Sequence, residues 1–322
     1  MARIPLERTI GDTYRFALRN VLSIFGIVWF PILLLAAAAA AGVWWLWPDI
    51  AGMDWSGQAD AARNQEAAMR LVFKAFAVAG PFYFLFYVLI AMMNVGVQRM
   101  ALGLIKGPVF FFFSLEGTVW RFLGAMILAV ILIYAGTALT VGAVAAVFWA
   151  GAHFGLPALY GLVEFAAIVA GICWFFYMAV RLMFFLPAVV VAEGGLGLAR
   201  SWELGAGNFW RMAALFVVCI FAPMMAISMV SNIIVLPFMM SVMIPLQQAA
   251  DAHQVVTPQQ LWAEVGPALR WFVPLFAGLQ ILSWVVVLGL QNAMSACAYR
   301  NIVEPEPASD IEPPLHPSTS SG

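Results

Sequence analysis

Six apolar stretches, each too long for the core of a soluble domain to absorb, set the limits on this chain. They are Val21–Trp47, Leu71–Gln98, Trp120–Ala150, Pro157–Arg181, Phe209–Met240 and Trp271–Ala298. A hydrocarbon layer of about 30 Å takes roughly 20 helical residues, so every run is long enough to cross one, with tilt or overhang. None shows the alternating polar pattern of an outer-membrane barrel. An all-α, polytopic transmembrane bundle of six spans follows. Composition agrees: of 322 residues, 64% are hydrophobic and 10% charged, where a soluble domain carries about 25% charged residues. A soluble enzyme is excluded. So is a nucleic-acid binder, which needs a concentrated basic face.

The first run is about twice as long as the 7–15-residue apolar core of a cleaved signal peptide, so it is expected to remain as a span. Basic residues near the span ends fix the orientation. Eleven (Arg3, Arg8, Arg15, Arg19, Arg99, Lys106, Arg121, Arg181, Arg200, Arg211 and Arg300) fall on one side, and four (Arg63, Arg70, Lys74 and Arg270) on the other. Both termini are therefore expected in the cytoplasm, with the acidic stretch Asp49–Arg70 outside. The chain divides into an interfacial amphipathic helix (1–20), the six-helix transmembrane domain (21–302) and an acidic, Pro- and Ser-rich disordered tail (303–322). A short helix with Pro258 at its first position is expected in the last outer loop.

A short motif recurs. Gly11-Asp-Thr-Tyr14-Arg15-Phe16 is echoed by Gly117-Thr-Val-Trp120-Arg121-Phe122 and, more weakly, by Ala199-Arg-Ser-Trp202-Glu203-Leu204. Each copy precedes an odd-numbered span. Arg99 lies 21 positions before Trp120 and Arg181 lies 21 before Trp202, while Arg300 closes the sixth span in the corresponding place. The pattern suggests a threefold repeat of interfacial segment plus hairpin, related by an axis along the membrane normal. In the first segment Leu6, Ile10, Tyr14, Ala17, Leu18 and Val21 form a helical stripe, expected to lie apolar face down in the headgroup region with its arginines toward anionic lipid. Thr9 and Asp12 suggest a capping box. Val109–Phe113 is too short to span and is expected to dip into the interface, and Gly194, Gly195 and Gly197 to allow a sharp turn.

The N-terminal Ile10-Gly-Asp-Thr-Tyr-Arg-Phe-Ala-Leu-Arg-Asn20, together with Pro187-Ala-Val-Val-Val-Ala-Glu193-Gly and Ala199-Arg-Ser-Trp-Glu-Leu-Gly-Ala-Gly-Asn208-Phe-Trp, resembles a known family. It is the membrane domain attached to some bacterial glycerophosphodiester phosphodiesterases, shared with stand-alone six-helix proteins. The resemblance reaches to about Ile302. It implies a multi-pass protein of the bacterial inner membrane with a link to phospholipid or envelope metabolism. The hydrolase of that family is a separate soluble barrel.

Catalytic motifs are missing from the sequence. His153, His253 and His316 have no metal-ligand spacing, and Cys173, Cys219 and Cys297 lie far apart without a C-x-x-C pair, as packing residues do. P-loop and nucleophile-elbow motifs are absent. No cofactor or metal is implied. Polar groups inside spans carry more information, because each is costly in hydrocarbon. Glu164 in span four reads either as a cation or proton site or as a carboxyl satisfied near the interface. Lys74, at similar depth in span two, could pair with Glu164 or extend outward. Asn94, Asn232, Gln280 and Asn292, with Gln98, Ser231 and Gln291, suit interhelical hydrogen bonds. Arg99, Arg181 and Arg300 are headgroup candidates, guanidinium matching phosphate bidentately, though the positive-inside rule alone also accounts for them.

The expected function is that of a non-catalytic integral membrane protein, lipid-binding or structural, with membrane lipids as partners. The alternatives are a transporter or channel for a small solute or lipid, and a membrane subunit that recruits a soluble enzyme.

Overall fold

A computed structural model describes residues 3–52, 61–153, 160–251 and 258–303. Ten helices lie among these residues: α1 (Leu6–Arg19), α2 (Val21–Ala51), α3 (Ala61–Ala101), α4 (Gly117–His153), α5 (Tyr160–Met183), α6 (Leu186–Glu193), α7 (Leu198–Leu204), α8 (Phe209–Phe216), α9 (Ala222–Asp251) and α10 (Pro258–Val303). Six helical stretches are long and apolar enough to cross a membrane: Val21–Ala51, Gln65–Ala101, Gly117–Gly151, Glu164–Glu193, Phe209–Ile244 and Val265–Val303. They pair in sequence as three hairpins, α2 with α3, α4 with α5, and α9 with α10. The expected tail beyond 303, His253, His316, Pro157 and Thr257 lie outside the described residues.

The spans overrun the sequence-derived limits. α2 continues through Pro48 and Asp49 to Ala51, so Asp49 belongs to a helix rather than to the outer loop. The short helix expected at Pro258 is the opening of α10, which runs on to Val303 with Pro267 and Pro274 inside it. Such a helix of 46 residues measures about 69 Å at 1.5 Å per residue, roughly twice the hydrocarbon thickness.

Burial is uneven along the bundle axis. At the end carrying α1 and Val303, the basal end, three apolar clusters form. One joins Ile4, Phe184, Phe185, Met212, Leu215 and Met294, another joins Leu89, Met92, Phe122, Ala125, Leu186 and Val190, and the third joins Ile24, Ile27, Val28, Met93, Val97 and Leu288. At their centre sits α6, whose Leu186, Pro187, Ala188, Val189 and Val190 are all buried. A helix apolar on every side belongs inside a protein. It ends at Gly194, whose φ of 74° is left-handed, the conformation glycine adopts without a Cβ penalty. At Gly197 φ is 68° as α7 begins, so the sharp turn expected of this glycine run is present.

The 109–113 segment is not helical. It lies extended across α2 and α3. A methyl group at Gly26 would overlap the Val109 carbonyl oxygen and stand 2.9 Å from Phe110 Cα. Trp29 Nε1 donates to the Phe110 carbonyl at 3.0 Å, and the Phe112 ring covers Gly96. Phe110, Phe111 and Phe113 remain exposed on the outer side.

Two expectations for α1 need correction. Most of its stripe does not face lipid: Leu6, Ile10, Tyr14 and Ala17 pack on the cluster formed by α6, α8 and α10, while Leu18 and Val21, 74% and 37% exposed, point away. The capping box is also absent. The helix opens at Leu6 without a side-chain cap, Thr9 Oγ1 donates back to the Pro5 carbonyl, and Asp12 pairs with Arg8 and Arg15. Tyr14 makes the deepest tie, its hydroxyl donating to the Val218 carbonyl at 2.8 Å. That carbonyl lies in a π-helical turn, Val217–Phe221, in which the Ala222 N–H reaches back to Val217. The next N–H in the π register would come from residue 223, a proline with none to give. Burial pushes the Tyr14 phenol above its ordinary value, which keeps it a donor.

Candidate functional site

The basal end brings four arginines to one hollow. Arg8, Arg15 and Arg19 come from α1, and Arg300 comes from the last turn of α10. With Asp12, Phe16, Asn20, Cys297 and Asn301 they line a cavity of about 580 Å³. The two helices are held in register by Asn301 Nδ2 donating to Thr9 Oγ1 at 3.1 Å. Asp12 offsets part of the charge, lying 3.8 Å from Arg8 and 3.6 Å from Arg15. Arg300 makes one weak contact among the described residues, to Cys297 Sγ at 3.7 Å. Both helix ends present side-chain donors to this hollow, and guanidinium forks match phosphate or carboxylate oxygens.

The other two arginines of the expected trio are differently placed. Arg99 pairs with Glu116 at 2.7 Å and contacts Thr118 at 3.2 Å, at the start of α4. That hydrogen bond holds the Glu116 carboxyl below its ordinary value. Arg181 stacks over the Trp202 ring with 3.7 Å from guanidinium carbon to centroid, and its Nη1 donates to the Tyr177 hydroxyl. Arg99 and Arg181 thus each meet the stretch that carries the following copy of the aromatic motif, at 116–118 and at Trp202, whereas Arg300 shares the hollow with Asp12, Arg15 and Phe16 of the first copy. The 21-residue spacing has a physical basis in Arg181 on Trp202. Arg99 and Arg181 are committed to protein partners, which leaves Arg300 the most available of the three.

Among the intramembrane candidates, the structure joins two directly. Asn292 Nδ2 donates to Asn94 Oδ1 at 3.0 Å and to the Leu288 carbonyl at 2.9 Å. With its amide oriented to satisfy every neighbour, Gln98 donates to Asn292 Oδ1 at 2.9 Å and accepts from the Ala188 N–H at 3.2 Å. Ala188 lies in the first turn of α6, where backbone donors lack helical partners. The amide chain therefore ties α3, α10 and α6 together and serves that helix start. Above it is a central cavity of about 290 Å³ lined by Tyr87, Asn94, Phe122, Pro187, Trp284 and Gln291, among others. A sequence alone could flag these amides but not pair residues 198 positions apart.

The remaining candidates lie apart from this network. Lys74 pairs with Asp49 of α2, at 2.7 and 2.8 Å, and not with Glu164; the longer α2 brings Asp49 within reach. Glu164 stands exposed four residues into α5, in a groove against α4. Asn232 is exposed on α9 and Gln280 half-buried on α10. Reasoning from sequence missed the bond from the Tyr299 hydroxyl to Glu193 Oε1, 2.9 Å, and the Glu193–Arg200 contact at 3.4 Å. Among the described residues, no group of three or more His, Cys, Asp or Glu side chains could hold a metal ion. Comparison with family models, curated proteins and solved structures returned no match to the chain.

Proposed function

We propose that the chain is a non-catalytic, multi-pass protein of the bacterial inner membrane, with both termini in the cytoplasm, that binds anionic phospholipid headgroups. The observation that carries this reading is the arginine-lined hollow between α1 and α10. It lies at the basal end, where eleven of the basic residues gather, the side that the positive-inside rule places in the cytoplasm. Anionic lipids of that leaflet attract basic segments by about 1 kcal/mol per Lys or Arg near the surface. The resemblance of the α1 and 187–210 segments to the phosphodiesterase-associated membrane domain supports a role in phospholipid or envelope homeostasis. The contacts of Arg99 and Arg181 with the motif copies that follow them favour a repeated hairpin unit.

Native mass spectrometry of the full chain released from nanodiscs containing phosphatidylglycerol and phosphatidylcholine tests the reading. Retention of phosphatidylglycerol is expected, and Arg15→Ala with Arg300→Ala should reduce it about tenfold, equivalent to about 1.4 kcal/mol. Equal retention of both lipids, or no change in the double variant, overturns it. A second reading, transport of a small solute or lipid, draws on the central cavity above Asn94. Solute flux through reconstituted protein that disappears with Trp284→Ala would favour transport.

A further inference from the structure

The α4–α5 hairpin holds a second hollow, remote from the arginines and opposite to them in charge. One face of α5, made by Glu164, Ala167, Ile168, Gly171, Ile172, Phe175 and Phe176, looks across at Thr137, Val141, Val144 and Ala145 of α4. The α5 positions recur every three and four residues, as one helical stripe does. Ala145, Ala167 and Gly171 are too small to fill the space between the helices, and a groove of about 620 Å³ results. This lies within the range of about 300–1,000 Å³ typical of sites for drug-sized ligands. From Glu164 to Phe176 the groove runs twelve residues along α5, about 18 Å at 1.5 Å per residue.

Its chemistry is lopsided. Glu164 is the one charged group among the lining residues, and no ion pair or hydrogen bond engages it among the described residues. The nearest expected cation, Lys74, is held by Asp49 on another hairpin. Thr137 spends its hydroxyl on the Ile133 carbonyl at 2.8 Å. A lone carboxylate at the edge of an apolar slot is costly in hydrocarbon unless a cation meets it. The carboxylate lies at the end of the groove toward the distal surface, and the apolar wall with its two phenylalanines extends toward the middle of the span. An amphiphile in that leaflet has the same polarity: head outward, hydrocarbon inward. With no basic side chain in the lining, a phosphate would find no partner there, which favours a head of net positive charge over a phospholipid.

We infer that the α4–α5 groove is a binding site for a monocationic amphiphile, with its cation on Glu164 and its apolar body along Gly171, Phe175 and Phe176. The test uses the full chain in phosphatidylcholine nanodiscs and tetraphenylphosphonium as the probe, measured by equilibrium dialysis against empty discs. Saturable binding of one probe per chain is expected, weakened about tenfold or more by Glu164→Gln. Gly171→Leu, which fills the hollow and keeps the carboxylate, should weaken it as well. Tetraphenylborate, of the same shape and opposite charge, should not compete. Unchanged affinity in both variants, competition by tetraphenylborate, or binding no greater than to empty discs overturns the inference. So does an efficient Ala167→Cys crosslink between two chains, which would make a second copy of the protein the occupant.

Discussion

At the basal end, α2, α3, α4, α6 and α10 share buried clusters and a chain of amide hydrogen bonds. Toward the distal end, the same helices meet chiefly their hairpin partners. Lys74 joins Asp49 across α2 and α3, Tyr134 meets Phe175 across α4 and α5, and Phe238 stacks on Phe272 across α9 and α10 at 3.9 Å. Phe76, Leu139, Ile233 and Leu236 face outward there. Both regions draw on the same apolar residues, so hydropathy does not separate them. What differs is the number of groups that need a specific partner. Lipid tails are as apolar as leucine and give helices little reason to associate, so an outward-facing Leu236 costs nothing. An unpaired amide such as Asn292 would cost a good deal.

This contrast can be broken most sharply at Gly26. Gly26→Val would force the backbone at 109–110 off α2 and should destabilise the protein by about 3 kcal/mol, the upper part of the usual range for overpacking. Thermal unfolding in detergent, followed by size-exclusion chromatography, reads this out, and a wild-type profile would mean the close approach is unimportant. Next comes Asn292→Ala, which removes the centre of the amide chain and leaves Asn94 and Gln98 short of partners. A loss of about 2 kcal/mol is expected by the same assay, within the cost of stranding buried polar groups. The distal counterpart, Lys74→Met, breaks an ion pair whose side chains are 45% and 26% exposed and should cost less than about 1 kcal/mol. If it cost more than Asn292→Ala, the proposed difference between the two regions would be wrong.

The smallest effect is one of pH at the basal rim. The Glu116 carboxyl is held below its ordinary 4.5 by the Arg99 hydrogen bond. A depressed folded-state value means the pair contributes in full above 4.5 and fades as pH falls through the lower, folded value. Amide protection in the turn before α4, corrected for the intrinsic exchange rate at each pH, should therefore fall only on acidification below 4.5, and Arg99→Gln should remove that dependence.

The spans and their order were legible because length and unbroken hydropathy are properties of local sequence. Asn94, Gln98 and Asn292 could be singled out for the same reason, since an amide in an apolar run is conspicuous. Their pairing was not legible, because it depends on α6 being buried between α3 and α10, and seven apolar residues and a glutamate after a bend look like any connecting elbow. The α1 stripe misled for a related reason. Leu6, Ile10 and Tyr14 would suit a lipid surface as well as a protein one, and periodicity does not tell the two apart. Neither reading of Lys74, pairing with Glu164 or extending outward, included Asp49, because the apolar run stops before Pro48, whereas the helix carries on to Ala51.

Pro223 has an effect far beyond its own helix. Because it has no amide hydrogen to offer the Val218 oxygen, that oxygen depends on the Tyr14 phenol, and lifting the N-terminal helix away would strand it in an oily setting. The arginines on that helix are therefore mounted on a fixed bracket. A charged molecule approaching them meets a preformed cleft, one wall of which is anchored to a carbonyl more than 200 residues downstream.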